Sequence, residues 1–271
     1  MGKKIFLSYG NSSYYNSLKR IGEEAKATNI FDEIVLVTDK DLPIEITNCE
    51  LFKYSRGGGY WIWKPYVIMK TLKKIEDDDI VCYCDAGCMI FQDKQWDIYF
   101  SYLNKKDAIF FVYGAKMKHW CKKSLLLHYS NLRYLSECYQ IQSTYLIVKK
   151  KALPIIEEWF KLMYNQPQLV IDVNESARQK ENRNFIEHRH DQAVLTCIVY
   201  NWIKSNNNIK FLWQNCETRR KNGQAMYAAR ISDNSIRGNP DKIEKVYITY
   251  LKDFFFTPLR LFTNYFFLRR N

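Results

Sequence analysis

The chain has 271 residues, enough for one large or two small domains with a sizeable core. Hydrophobic residues make up 47% and charged residues 26%, which excludes a disordered chain. A net charge of +12 suits three partners: nucleic acid, an anionic membrane or a phosphorylated substrate. No zinc-finger spacing, RNP-like motif or leucine heptad accompanies it, so nucleic acid is not expected.

Lys4 to Tyr9 (KIFLSY) reads as a first strand, followed by a polar turn at Gly10 and a helix over 14–27. Glu33 to Thr38 (EIVLVT) reads as a second strand, so the chain opens as strand, helix, strand, the pattern of a parallel sheet. The Gly10 turn is not a GxGxxG, although the end of a first strand is still where a base and ribose would meet Tyr9. Residues 56–92 follow, RGGGYWIWKPYVIMKTLKKIEDDDIVCYCDAGCMIFQ. They read as a glycine-and-aromatic loop, a helix over Lys64 to Ile75 with Pro65 in its first turn, and a buried strand over Ile80 to Tyr83 that ends on Asp85-Ala86-Gly87. An acidic residue and a small-residue turn at a strand's carboxyl end mark where an open α/β sheet takes its ligand. Asp77-Asp78-Asp79 reads as a solvated charged turn rather than a metal site.

Ala108 to Tyr113 reads as another buried strand, and Leu125 to Leu135 as a helix. Gln140 to Val148 reads as an antiparallel or edge strand, and Ala152 to Tyr164 as a helix with Pro154 in its first turn. Asn165 to Glu187 is polar and without period, long for a loop inside a compact domain, and so a candidate lid or acceptor loop. His188-Arg189-His190-Asp191-Gln192 precedes a helix over Ala193 to Trp202, with Asp191 placed to cap it. Ile209 to Trp213 reads as a last strand. Residues 1–215 are expected to form the catalytic domain and 216–271 a basic-aromatic extension.

Within that extension, 247–270 (YITYLKDFFFTPLRLFTNYFFLRR) is the most apolar window. A spanning helix needs about 20 mostly apolar residues, and Lys252, Asp253, Pro258 and Arg260 break this one. It suits a segment lying in the interface of an anionic membrane, or a helix docked on the core. The eight cysteines form no CxxC pair and the N-terminal residues carry no apolar secretory stretch, so a reducing cytoplasm is expected.

These residues suit the transfer of a sugar from a nucleotide. Such a site must neutralise a diphosphate leaving group with a carboxylate-held cation or with Lys, Arg and backbone N–H groups. Asp85 is the candidate cation or ribose contact, and Gly87 lets the backbone approach the ligand. Arg56 and Lys64 supply positive charge. Tyr60, Trp61 and Trp63 offer flat faces, although one of the two tryptophans is expected to pack in the core. Asp191, flanked by His190 and Gln192, is the candidate base or stabiliser of an oxocarbenium-like transition state, unless it only caps its helix. His188 and His190 in sequence with one Asp rarely reach one ion.

The order of polar turn, GGGYWIWKPYVIMKTL, DIVCYCDAG and HDQAVL resembles bacterial GT-A-fold glycosyltransferases of capsule and lipopolysaccharide gene clusters, over roughly residues 3–213. The resemblance implies a Rossmann-type mixed α/β sheet flanked by helices, with a C-terminal helical tail. It implies a nucleotide-sugar donor, UDP-galactose or UDP-glucose first, and a glycan or lipid-linked acceptor at the cytoplasmic face of the inner membrane. It implies that Asp85, Ala86 and Gly87 stand where the family binds the sugar nucleotide and Mn²⁺ or Mg²⁺. Only the first acid of the family's DxD pair is present, so the metal stays open. It places Lys64 by the donor sugar and Asp191 and Gln192 at the donor–acceptor junction. A non-catalytic membrane-surface or nucleic-acid binding protein is the alternative.

Overall fold

The computed structural model describes residues 2–132, 134–204, 208–217, 223–236, 258–263 and 266. Strands β1 (Lys4–Gly10), β2 (Glu33–Thr38) and β3 (Ile80–Cys84) are parallel, in the order β2-β1-β3. Strand β4 is Met89–Ile90, and β5 is Ala108–Lys116. Strands β6 (Tyr139–Ile141) and β7 (Tyr145–Lys149) both run antiparallel to β5, and β7 also pairs antiparallel with β3. Strand β8 (Ile209–Trp213) closes the other side of β5 in parallel. The result is one mixed seven-stranded sheet.

Because β2 lies on one side of β1 and β3 on the other, the strand order reverses between β1 and β3. That is the switch point where connecting segments part and leave a crevice outside the carboxyl ends of the strands. Tyr9 and Gly10 end β1 there, and Asp85 follows β3.

Side-chain alternation splits the sheet into two buried faces. Leu7, Tyr9, Val81 and Tyr83 face helices α2 (Trp63–Leu72), α5 (Leu153–Asn165) and α6 (His190–Trp202). Phe6, Ile80, Cys82, Phe111 and Ile147 face α1 (Tyr15–Ala27) and α3 (Gln95–Leu103), where Trp96 and Tyr99 are buried. The eight cysteines are all free and buried, as small apolar fillers.

Several local expectations are corrected. The expected strand 140–148 is broken at Gln142-Ser143-Thr144, after which the chain, as β7, pairs with β3 as well as with β5. Helix α2 stops at Leu72 rather than Ile75, and Lys73 and Lys74 form its closing turn. The expected helix 125–135 lasts only from Lys123 to His128 (α4), because Tyr129 leaves helical geometry at φ −104°, ψ 40°. Leu132 and Leu135 are buried all the same. Asp79 is buried, unlike the rest of its acidic turn. It accepts N–H bonds from Lys3 and Glu76 and so ties the start of β1 to the start of β3.

Residues 223–236 pack on the body. Strand β9 (Met226–Tyr227) pairs with β4, and β10 (Ile231–Ser232) forms a hairpin with β11 (Ser235–Ile236). The tail window 247–270 lies largely outside the described residues. Residues 258–263 are helical, with Leu261 against the core and Arg260 above the Trp213 ring at 4.9 Å. Among the described residues, no helix is long and apolar enough to cross a membrane.

Candidate functional site

Two cavities meet at the switch point, one of about 390 Å³ and one of about 290 Å³. Asp85, Trp61, Thr144 and Arg230 line both. The larger is walled by Tyr9, Gly10, Asn11, Trp63 and Gly87. The smaller is walled by Lys64, Tyr113, Trp120, Arg189, Asp191 and Gln192. A third depression of about 410 Å³ lies on the outer face of α5, where Glu157, Lys161 and Asn165 converge on no chemistry.

Lys64 sits at the centre. Its Nζ lies 3.1 Å from Asp85 Oδ1, 3.2 Å from Asp191 Oδ2 and 3.5 Å from Ser143 Oγ, and its side chain is 2% exposed. Burial works to lower the ammonium's pKa, but Asp191 and Asp85 outweigh it and raise it above the usual lysine value. Burial pushes the Asp85 carboxyl up, against the pull of Lys64 and of the Tyr83 hydroxyl, which donates to Oδ1 at 2.5 Å. Tyr83 stands two residues before Asp85, so strand alternation puts both on one face.

The 86–88 turn is held from α1, whose Arg20 donates to the carbonyls of Ala86 and Cys88. Gly87 is required by close approach. A Cβ there would stand 3.0 Å from the Ile231 carbonyl oxygen, and the Ile231 N–H already donates to Gly87.

The glycine-aromatic loop turns left-handed. Gly57, Gly58, Gly59, Tyr60 and Trp61 all take positive φ, between 51° and 91°. Three glycines make that affordable where two aromatic residues must share it. The turn aims Trp63 so that its ring stacks on Tyr9, centroids 3.9 Å apart, and its Nε1 donates to Gly57. Trp63 is therefore the buried member of the tryptophan pair, and Trp61 the half-buried one, stacked toward His190. Burial raises the Tyr9 hydroxyl's pKa far above its usual value.

Arg56, expected at the diphosphate, is instead bound to Asp172 at 2.7 Å and to Glu187. The Tyr60 hydroxyl donates to the same Asp172 at 2.6 Å. The glycine loop is thereby fastened to the 165–187 segment. Asp191 does not cap its helix: Arg189 holds the N-cap position, His190 opens the helix at φ 43°, and the Asp191 carboxylate turns inward to Lys64. Gln192 Nε2 donates to the Tyr113 hydroxyl and to Gln140 Oε1.

His190 Nδ1 donates to the Val170 carbonyl, and burial lowers its pKa. His188 accepts the Lys122 N–H on Nδ1 and donates from Nε2 to Leu169, so neither of its nitrogens is available.

The described residues do not fit a carboxylate-held divalent cation. Among the described residues no group of three His, Cys, Asp or Glu side chains converges. Asp85 and Asp191 both face an ammonium, and a Cβ at position 87 would crowd the Ile231 carbonyl oxygen at 3.0 Å.

Arg189, Arg230, Ser143 and Thr144 belong to the site and were not singled out from sequence. The signal for Ser143 and Thr144 was the polar run Gln142-Ser143-Thr144 ahead of the apolar Tyr145-Leu146-Ile147-Val148. For Arg230 there was none, because residues 215–242 carry no period.

The chain is thus a mixed α/β protein with its cavities at the carboxyl edge of a switch point. No protein-family model matches it and no curated protein matches it. Among solved structures it is similar to a glycosyltransferase involved in the glycosylation of the major capsid of PBCV-1, at 11% identity and a TM-score of 0.44, over 80% of this chain and 84% of that one. It is similar to the galactosyltransferase LgtC in complex with donor and acceptor sugar analogs, at 12% identity and 0.41, over 80% and 75%. It is also similar to a putative glucose-1-phosphate thymidylyltransferase from Bacillus anthracis, at 11% identity and 0.39, over 79% and 87%. These are likenesses of general layout, common to transferases of two kinds.

Proposed function

We propose that this protein is a glycosyltransferase that moves a hexose from a nucleoside diphosphate sugar to a glycan or lipid-linked acceptor. The observation that carries the reading is the pairing of the buried Lys64 ammonium with Asp85 and Asp191 at the junction of two cavities. The larger cavity, with the Tyr9–Trp63 stack and the left-handed glycine turn, suits a base and ribose. The smaller, polar one suits a sugar and the incoming hydroxyl.

In this reading the acceptor hydroxyl oxygen attacks the anomeric carbon. The bond from that carbon to the diphosphate oxygen breaks, and its electron pair leaves with the nucleoside diphosphate. Asp191 takes the hydroxyl proton or faces the positive charge that develops on the sugar ring. Lys64 holds both carboxylates at the junction of the cavities. Gln192 and His190 shape the wall beside Asp191.

UDP-galactose and UDP-glucose are the donors we favour, and the net charge of +12 suits a phosphate-bearing acceptor of the lipopolysaccharide or capsule type at the inner membrane face. The basic-aromatic residues 247–270 would supply the membrane contact there.

The test is a thermal-shift panel of nucleotide sugars on the full chain, followed by donor hydrolysis and transfer assays. A ligand that binds only the folded state raises its melting temperature. One nucleotide sugar is expected to do so, Asp85→Ala to abolish that shift, and Asp191→Asn to keep the shift while losing turnover. Net synthesis of a nucleotide sugar from a nucleoside triphosphate would overturn the assignment.

A further inference from the structure

We infer that the donor's diphosphate is held by Arg230 and Arg189, with the Lys64 ammonium fixed in the role of a cation, so that nucleotide binding needs no divalent metal. This rests on the transferase reading above and adds the identity of the diphosphate site.

The charge balance requires such a site. Asp85, Asp191 and Lys64 are two acidic groups and one basic group, a formal excess of one negative charge at the junction of the cavities. A diphosphate arriving there adds more, and the cost of like charges in a dry crevice must be met by cations or donors. Among the described residues that line the cavities, two cations are already committed. Lys64 faces Asp85, Asp191 and Ser143, and is buried. Arg56 holds Asp172 and Glu187 across the loop.

A metal held by carboxylates meets two obstacles. The first is occupancy, since the ammonium stands between the two acids. The second is space, since an acid at position 87 would drive its Cβ against the Ile231 backbone.

Arg230 and Arg189 are differently placed. Arg230 lines both cavities, and its guanidinium is paired with Glu217 in a contact where both side chains are about half exposed (54% and 46%). An exposed pair of this kind is screened by solvent and weak, so exchange of Glu217 for a phosphate costs little. A guanidinium also presents two parallel N–H groups to a phosphate.

The backbone around Arg230 is fixed. Ile231 is bonded to Gly87 on one side, and Asp233 is bonded to the first turn of α1 on the other. Arg189 lies over the Trp120 ring at 4.3 Å, only 4.0 Å from Glu187, and its buried Nε has no hydrogen-bond partner among the described residues. The two arginines thus reach the smaller cavity from two separate elements.

The experiment is calorimetric titration of the full chain with UDP, GDP, ADP and CDP, in EDTA and then in Mn²⁺ and Mg²⁺. At least one diphosphate is expected to bind with a Kd that differs by less than about threefold between EDTA and metal, well under the tenfold that 1.4 kcal/mol represents. Arg230→Met is expected to weaken that diphosphate by about tenfold or more. It should leave binding of the corresponding nucleoside, which has no phosphate, unchanged, and that contrast separates a phosphate contact from misfolding. Binding that appears only with Mn²⁺ or Mg²⁺ overturns the inference and leaves the transferase reading standing. An unchanged Kd in Arg230→Met overturns it as well. No binding by any nucleotide in any buffer overturns the inference and the transferase reading together.

Discussion

Lys64 is the residue on which the site's electrostatics turn. It is buried between two carboxylates, and taking one partner out of such a group leaves charges that cannot be solvated. Lys64→Met is expected to cost roughly 3–5 kcal/mol, the range for breaking a buried ion pair. Urea unfolding at neutral pH checks this, and a cost below about 1 kcal/mol would match an exposed pair instead. Lys122 makes the opposite case. Burial lowers its pKa to about 8, while its Nζ donates to the carbonyls of Gln168 and Ile171. Its folded pKa lies below the unfolded value of about 10.4, so between those values the unfolded chain binds more protons and stability rises with pH. Its contribution is full above about pH 10 and lost as pH falls through about 8. The difference in unfolding free energy between wild type and Lys122→Met should therefore grow from pH 8 to pH 10. A flat difference would remove the amine's titration from the account.

At the scale of elements, the site is assembled by segments that complete one another. Helix α1 has no side-chain cap of its own, since Tyr14 holds the N-cap position. Asp233, from the β10–β11 hairpin, accepts the backbone N–H groups of Asn16 and Ser17, each at 3.0 Å. The first-turn donors of a helix are thus satisfied from more than 200 residues away along the chain. Asp233→Ala is expected to cost about 1 kcal/mol, as other cap losses do. It should also loosen the hairpin that presents Arg230, which hydrogen exchange at Ile231 would register. The glycine turn carries a second prediction. Gly59→Ala places a Cβ 2.9 Å from Phe52 Cδ2 and 3.1 Å from its Cα, whereas at Gly58 the nearest atom is the Asn11 amide at 3.3 Å. Both substitutions carry the left-handed penalty of about 1–2 kcal/mol, and Gly59→Ala adds a clash with backbone. Thermal melts should rank Gly59→Ala as the more damaging, and the reverse ranking would contradict the packing of that turn.

At the scale of the molecule, residues 216, 217 and 223–236 pack with the described residues of the first 215 as one body. Cys216, Ala225, Met226, Tyr227 and Ala229 are buried, and β9 adds to β4 beside the site. A chain ended after Asn215 is expected to melt lower than the full chain by more than Asp233→Ala does, and to lose nucleotide binding with Arg230. Equal melting temperatures would make that region dispensable.

The sequence alone determined the local parts. Apolar runs with period two or near 3.6 marked β1, β2, β3, β5, α1, α5 and most of α6, because each such pattern is a local consequence of burying one face. It also marked Asp85 at a strand end, Gly87 beside it, and the glycine-aromatic run. Tertiary structure alone decided how the charges pair. That Lys64 faces Asp85 and Asp191, that Arg56 is spent on Asp172 and Glu187, and that Arg230 arrives from a patternless stretch all depend on the packing of distant segments, Arg56 and Glu187 being 131 positions apart. The same holds for the break at Gln142-Ser143-Thr144, after which the chain takes β3 as a partner in addition to β5. Periodicity records which face of an element is buried. It does not record which partner an ionised side chain meets, since that is fixed by the sheet order that brings distant strand ends to one edge.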